Sequence, residues 1–377
     1  MGKEGIKEQR VLFVGLGRLG SHMLDLLVRL PGKQTFLVGG RNLDYMRQRA
    51  NLSLLAAIQL GYTPDVTCIS LDLWNIEQTA EIIARFQPTL IVCAATLHAW
   101  ETARALPEDL SRQLALAPMG PRLPFHLLLV YRLMQALHLT NHSAMVLNAI
   151  YPDVVHPVLN RVGLAPTTGI GDLANNIPAL RLSIAWKLGI PLEQVEVRFV
   201  AARYVSYWMS RIDIGGAPFH LTVLVNGEDQ THLLERRAIF ESLPGVLKRI
   251  GGTTGLLMTA ASAAHIYTAI VKNTGSITHA PGPHGLPGGY PVRADAQGIA
   301  LALPEGLSRE EALSLNQAGL MLDGIEQIEE NGTVCFTENA VTIYKKLLGY
   351  ECRRLLLSEV EDRAKELRAR YRAFAQR

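Results

Sequence analysis

Between residues 10 and 148, five short apolar runs, "RVLFVG", "QTFLVGG", "DVTCISLD", "PTLIVCAAT" and "AMVLNA", alternate with helical patterns over 18–30, 43–60, 76–86 and 124–138. The runs are rich in Val, Ile, Leu and Cys without polar alternation, as strands are when both faces are buried. Helices between such strands form right-handed crossovers, so this part reads as an α/β doubly wound parallel sheet. At 377 residues and 48% hydrophobic, the chain has enough core for two domains.

The pattern changes after Asn148, which sets expected boundaries of 1–148 for the first domain and 149–377 for a second, α+β domain. There "LANNIPALRLSIAWKLG" reads as a helix, while "QVEVRFVAARYVSYW" and "FHLTVLVNG" alternate with the period of strands. The stretch 233–273 reads as two or more helices broken near Gly251 and Gly252. "THAPGPHGLPGGYPV" is too rich in Gly and Pro for a regular element and reads as a long loop. From Ser308 the chain is helical again. It closes on a charged amphipathic helix, "SEVEDRAKELRARYRAF", whose charges suit a solvated face or one docked on a partner subunit.

Lys and Arg total 37 against 34 acidic residues, and the +3 balance is not gathered into blocks, so there is no nucleic-acid footprint and a small-molecule partner is expected. Cys68, Cys93, Cys335 and Cys352 lack metal-ligand spacing and read as reduced thiols. The opening "MGKEGIKEQR" has no apolar signal region, so a cytoplasmic location is expected. The longest apolar window, from Gly255, carries Thr, Ser, His and Tyr and reads as a core helix, with no membrane role.

Gly15, Gly17 and Gly20 form G-x-G-x-x-G directly after the first strand and at the start of a helix, the context in which this turn holds a dinucleotide diphosphate. The first glycine allows the sharp turn, the second lets the backbone approach the diphosphate, and the third lets helix pack on strand. Arg18 and Leu19 lie within the turn. The second strand ends "VGGRN", with Gly40, Arg41 and Asn42 where an NAD site usually has an acid. A guanidinium there can fork a 2′-phosphate, which favours NADP(H), with NAD(H) the alternative. Asp72 and Leu73 follow the third strand and can edge the adenine; Ala94, Ala95 and Thr96 follow the fourth, where small side chains permit close approach. Residues 97–123 are long enough for a lid.

The glycine turn, the loop after the fourth strand, "LNAIYPDVVHPVL", "GIGDLANNIPALRLSIAWKLG" and "GGTTGLLMTAASAAHIYTAIVKN" occur in an order that resembles the lactate and malate dehydrogenase superfamily over about residues 10–330. "GGRN" and "SLDLW" are closer to the cofactor halves of saccharopine-dehydrogenase-like and short-chain reductases. The resemblance implies a Rossmann domain followed by a substrate domain, a homo-oligomer (dimer or tetramer), Asn148 beside the cofactor, and Thr253 and Thr254 on the substrate side. It also implies an Asp orienting a catalytic His, and an Arg holding a substrate carboxylate. This chain has Asn176, Arg203 and Ala179 at those three positions, so the usual acid-base dyad is absent.

Candidate proton donors are then His156 and His220, with Tyr151 and Asp153 in the turn between the domains. Arg122 and His126 could meet an anionic substrate, and Arg203 could hold a carboxylate or polarise a carbonyl. His279 and His284 are candidates to line the cleft; a metal site lacks a third ligand at recognisable spacing. The leading expectation is an NADP(H)-dependent oxidoreductase acting on a small polar, anionic carbonyl, hydroxy or imine substrate. The alternatives are a non-catalytic dinucleotide-binding sensor and a redox-neutral enzyme that uses its nicotinamide transiently.

Overall fold

The computed structural model describes residues 9–97, 106–211, 214 and 216–375. Strands β1 (Gln9–Val14), β2 (Gln34–Gly40), β3 (Asp65–Ser70), β4 (Leu90–Cys93), β5 (Met145–Asn148) and β6 (Thr168–Gly169) form one sheet in the order β3-β2-β1-β4-β5-β6. Every pair in it is parallel. In register, Val11 and Phe13 of β1 lie beside Leu90 and Val92 of β4 and face one apolar core, while Leu12 and Val14 lie beside Ile91 and Cys93 and face the other. Both faces of these central strands are therefore apolar, which is why they read as unbroken hydrophobic runs; β3, at the sheet edge, is only part-buried, contrary to the expectation that all five runs are buried on both faces.

Helices α1 (Arg18–Leu27), α2 (Leu43–Gln59) and α3 (Ile76–Phe86) follow the first three strands where the periodicity places them. Helix α2 starts where Asn42 Oδ1 accepts the Tyr45 N–H at 3.1 Å, and α3 where Asn75 Oδ1 accepts the Gln78 N–H at 2.9 Å. Helix α4 (Glu108–Leu116) precedes α5 (Leu123–Leu139), which covers the sheet beside α3. The sheet gains its sixth strand only after α6 (Pro152–Asn160), past the boundary expected at Asn148.

The second part carries α7 (Ile177–Leu188) and strand β7 (Val195–Val200), which pairs antiparallel with β8 (His220–Val225) and through it with β9 (Glu228–Asp229). The alternation that predicts a strand through Trp208 is misleading: after Val200 the chain turns into α8 (Arg203–Trp208). The Arg203 N–H is captured by Asp153 Oδ2 at 3.2 Å, and Ala202 is pressed so close to Gly319 that a Cβ on that glycine would lie 2.4 Å away. Helices α9 (Arg236–Glu241) and α10 (Leu256–Val271) flank the predicted break at Gly251 and Gly252.

The Gly/Pro-rich stretch expected as a loop is a hairpin, with β10 (Ser276–Pro281) and β11 (Gly289–Asp295) antiparallel and β12 (Gly298–Leu301) beside them. Its glycines serve close packing: the Gly282 N–H donates to the Gly288 carbonyl at 2.8 Å, and a Cβ on Gly288 would meet Asn316 Cγ at 2.2 Å. Composition alone hides this because the turn geometry is tertiary.

The tail runs through α11 (Arg309–Leu322), β13 (Ile325–Ile328), β14 (Val334–Phe336), α12 (Glu338–Leu348), β15 (Arg354–Leu355) and α13 (Val360–Ala375). It returns to the first sheet. Val360, Ala364, Leu367 and Tyr371 of α13 are buried in the core that also holds Phe125 and Leu128 of α5, with the Tyr371 and Phe125 rings 5.7 Å apart. Arg132 of α5 pairs with Glu361 at 2.5 Å. The apolar stripe of the last helix is thus covered by its own chain. Among the described residues, no helix is long and apolar enough to cross a membrane.

Candidate functional site

A cavity of about 480 Å³ opens at the carboxyl ends of β1, β2 and β4, where the strand order reverses. That is where ligands bind on sheets of this topology, and the volume is that of a small-molecule site. Gly15, at φ +95°, makes the turn, and a Cβ there would stand 2.8 Å from the Ala95 nitrogen. A Cβ on Gly20 would be driven into the Gly15 carbonyl, whereas one on Gly17 would meet nothing within 4 Å. The cradle is therefore closed beneath and open at Gly17. Helix α1 starts at this point with no side-chain cap, and a helix N-terminus is a place where an anion can bind.

All the expected cofactor contacts line this cavity except Gly20 and Asn148: Gly15, Gly17, Arg18, Leu19, Gly40, Arg41, Asn42, Asp72, Leu73, Ala94, Ala95 and Thr96. Gly20 is buried under the turn. Asn148 is fully buried and spends its amide on Ile150, its Oδ1 accepting from the Ile150 N–H and its Nδ2 donating to the Ile150 carbonyl, both at 3.0 Å. Sequence reasoning missed Tyr45, Trp74, Leu129, Ile150 and Leu256 in the wall. Tyr45 was legible, since it lies four residues beyond Arg41 at the start of α2; the others reach the cavity only through tertiary packing.

The catalytic candidates disperse. His156 is fully buried, its Nδ1 bonded to the Gly282 carbonyl at 2.7 Å and its Nε2 to Asn148 Nδ2 at 3.0 Å. These partners fix a neutral imidazole with the proton on Nδ1, and burial pushes its pKa down to about 4. It buttresses the β10–β11 hairpin. His220 lies on β8 with Nε2 at 3.0 Å from the Thr222 hydroxyl, outside the cavity wall. Thr253 and Thr254 sit before α10, and of that region only Leu256 reaches the cavity. His279 is buried, accepts the Phe199 N–H at 3.1 Å and has its pKa pushed by burial to about 3; His284 bonds to the Ile299 carbonyl within the hairpin. The lid reading for 97–123 falls partly on residues 98–105, which lie outside the described residues.

One expected group does gather behind the cavity wall. Thr96, which lines the cavity, contacts His126 Nδ1 at 3.3 Å, and the His126 and Tyr151 rings are 5.8 Å apart. Arg203 lies 5.7 Å from the Tyr151 ring, and its Nη1 is bonded to both Asp323 oxygens at 2.9 and 3.0 Å. Burial opposes the Arg203 charge, but Asp323, Tyr151 and Asp172 outweigh it and keep the guanidinium protonated. Arg203 is thus committed to Asp323, a partner supplied by the tail. Arg122 donates to the Leu114 carbonyl at 3.1 Å and bonds Tyr344 of α12. At the position of the missing orienting Asp, Asn176 donates to the Ser206 carbonyl at 2.8 Å and accepts from Arg249, a structural node.

The sequence matches no family model and no curated protein. Solved structures of the two-domain nicotinamide dehydrogenases do match its fold. Malate dehydrogenase from Plasmodium falciparum, in complex with NADH, superposes with a TM-score of 0.51 at 12% identity, covering 90% of this chain and 99% of that one. Lactate dehydrogenase from Eimeria maxima, with NADH and oxamate, gives 0.56 at 14% identity over 83% and 91% of the two chains. The lactate dehydrogenase of Cryptosporidium parvum, with lactic acid and nicotinamide adenine dinucleotide, gives 0.53 at 15% identity over 84% and 98%. The chain has the lactate/malate dehydrogenase fold, and at these identities the likeness speaks for the fold alone.

Proposed function

We propose that the protein is an NADP(H)-dependent oxidoreductase that transfers hydride to or from a small polar carbonyl, hydroxy or imine substrate. The observation that carries this reading is the cavity at the strand-order reversal, which joins the open Gly17 cradle to Arg41 at the end of β2. When bound, a nicotinamide would supply the hydride donor or acceptor. The uncapped start of α1 would bind the diphosphate, Arg41 and Tyr45 would take the phosphorylated adenosine end, and Ala94 and Ala95 would leave room for close backbone approach. Thr96 and Ile150 mark the side of the cavity toward the Tyr151 cluster, so proton transfer would come from that side.

Arg41→Ala is expected to weaken NADPH binding about tenfold or more, the scale of a lost charge-assisted hydrogen bond, and to leave NADH binding nearly unchanged. Fluorescence titration with both nucleotides reads this directly; equal losses would remove the NADP(H) preference. A second reading, a dinucleotide sensor without turnover, is favoured by Asn176, Ala179 and Arg203 at the dyad and carboxylate positions. Steady NADPH consumption with a panel of oxo acids, aldehydes and imines decides for the enzyme. Tight NADPH binding without consumption decides for the sensor.

A further inference from the structure

The group behind the cavity wall is short of positive charge. Asp153 from the start of α6, Asp172 after β6 and Asp323 at the end of α11 surround one guanidinium, Arg203, whose Nη1 is already bonded to Asp323. Of the other cations near Arg203, Arg122 is turned to Tyr344 and the Leu114 carbonyl, and Arg211 lies over the Tyr207 ring and donates to the Tyr207 carbonyl. Two buried polar atoms in the same turn find no hydrogen-bond partner among the described residues: Asp153 Oδ1, in a residue 0% exposed, and Tyr151 Oη, in a residue 5% exposed. Tyr151 lies within electrostatic reach of all three carboxylates and follows Ile150 in the cavity wall. Its backbone is held at φ +41°, a left-handed conformation that a bulky side chain rarely adopts and that concentrates at functional sites. Among the described residues no group of three His, Cys, Asp or Glu side chains is placed to hold a metal ion.

We infer that Tyr151, Asp153 and Asp172 form the seat of a cationic nitrogen on the substrate, an ammonium or iminium group, in place of the carboxylate clamp of a hydroxy-acid dehydrogenase. This rests on the reading of the cavity as a dinucleotide site and names the substrate class it serves. Asp153 Oδ1 accepts an N–H of the cation, Asp172 supplies a second negative charge, and the Tyr151 hydroxyl, which can donate or accept, completes the contact. The cation takes the place of protons: burial, then Asp172 and Asp323, hold the Asp153 pKa well above the carboxylate range, and burial with Asp323 outweighs Arg203 to raise Asp172 to about 6. Binding a cation therefore favours the ionised form of Asp153 and the release of its proton to the buffer.

The test is calorimetry on the NADPH-saturated protein at pH 7.5 with two probes, pyrrolidine as the cation and oxamate as the anion, in two buffers of different ionisation enthalpy. Pyrrolidine is expected to bind at least tenfold more tightly than oxamate, with protons released. Asp153→Asn and Asp172→Asn should each lower its affinity at least tenfold while NADPH uptake stays unchanged. Oxamate binding as tightly as pyrrolidine, no heat from either probe, or full pyrrolidine affinity in both variants would overturn the inference. Pyrrolidine binding to a protein that takes up no NADPH would keep this seat and remove the oxidoreductase reading.

Discussion

At the residue scale, glycines that look alike in sequence carry different loads. Gly20 is needed for the fold itself, because its Cβ would overlap the Gly15 carbonyl, whereas Gly17 has open space where its Cβ would go. Gly17→Ala should then leave the melting temperature within about 1 °C, since surface changes away from packed features cost little. It should nonetheless weaken NADPH binding about tenfold or more, and paired thermal unfolding and titration separate the two effects. His156 makes a second residue-scale prediction. Its pKa is lowered from 6.5 to about 4 in the folded state, so the unfolded chain takes up the proton first. The stability that its neutral ring contributes is present above pH 6.5 and is lost as pH falls toward 4, a loss of up to about 3 kcal/mol. His156→Asn should be destabilised at pH 7.5, and its deficit against the parent protein should shrink between pH 6.5 and 4 in urea titrations. A constant deficit would count against the buried neutral ring.

At the element scale, helices α1, α2, α3 and α5, the five expected strands and the glycine turn were legible, because each rests on local periodicity or a cap such as Asn42, whereas α4 falls in the stretch expected as a lid. The errors share one cause. The strand expected through Trp208 stops because Asp153, fifty residues upstream, takes the Arg203 N–H, and the supposed loop is a hairpin because Asn316 and His156 pack against its glycines. Neither partner is visible to a local pattern. Of the proton candidates, Tyr151 follows Ile150 of the cavity wall with Asp153 in the same turn, while His156 and His220 are held in other contacts. Helix α13 gives the test of tertiary docking. Leu367 is fully buried, so Leu367→Ala should cost about 2–5 kcal/mol in equilibrium unfolding, as large-to-small core changes do. A cost below 1 kcal/mol would mean that the helix does not belong to the core.

At the scale of the whole molecule, α2 leaves Leu52, Leu55 and Ile58 exposed at 64%, 62% and 51% along one stretch. Exposed apolar side chains of this kind are where an interface of the expected homo-oligomer can be tested. Leu55→Lys should shift the mass in sedimentation velocity toward the monomer, and an unchanged mass would place any interface elsewhere. The tail binds the molecule together over long stretches of chain: Arg132 meets Glu361 across 229 residues, Tyr344 meets the Pro118 carbonyl across 226, and Arg203 meets Asp323 across 120. Contacts of such separation form late, because loop closure must precede any gain from them.

That arrangement has a consequence for synthesis. A nascent chain still on the ribosome can already fold its first strands and the nucleotide turn, yet it lacks the carboxylate that is bonded to Arg203 and the helix that packs on Phe125. Polypeptides that terminate early would leave Arg203 without its bonded carboxylate and part of the apolar core bare, so they should be handed to chaperones or proteases instead of accumulating as half-competent copies.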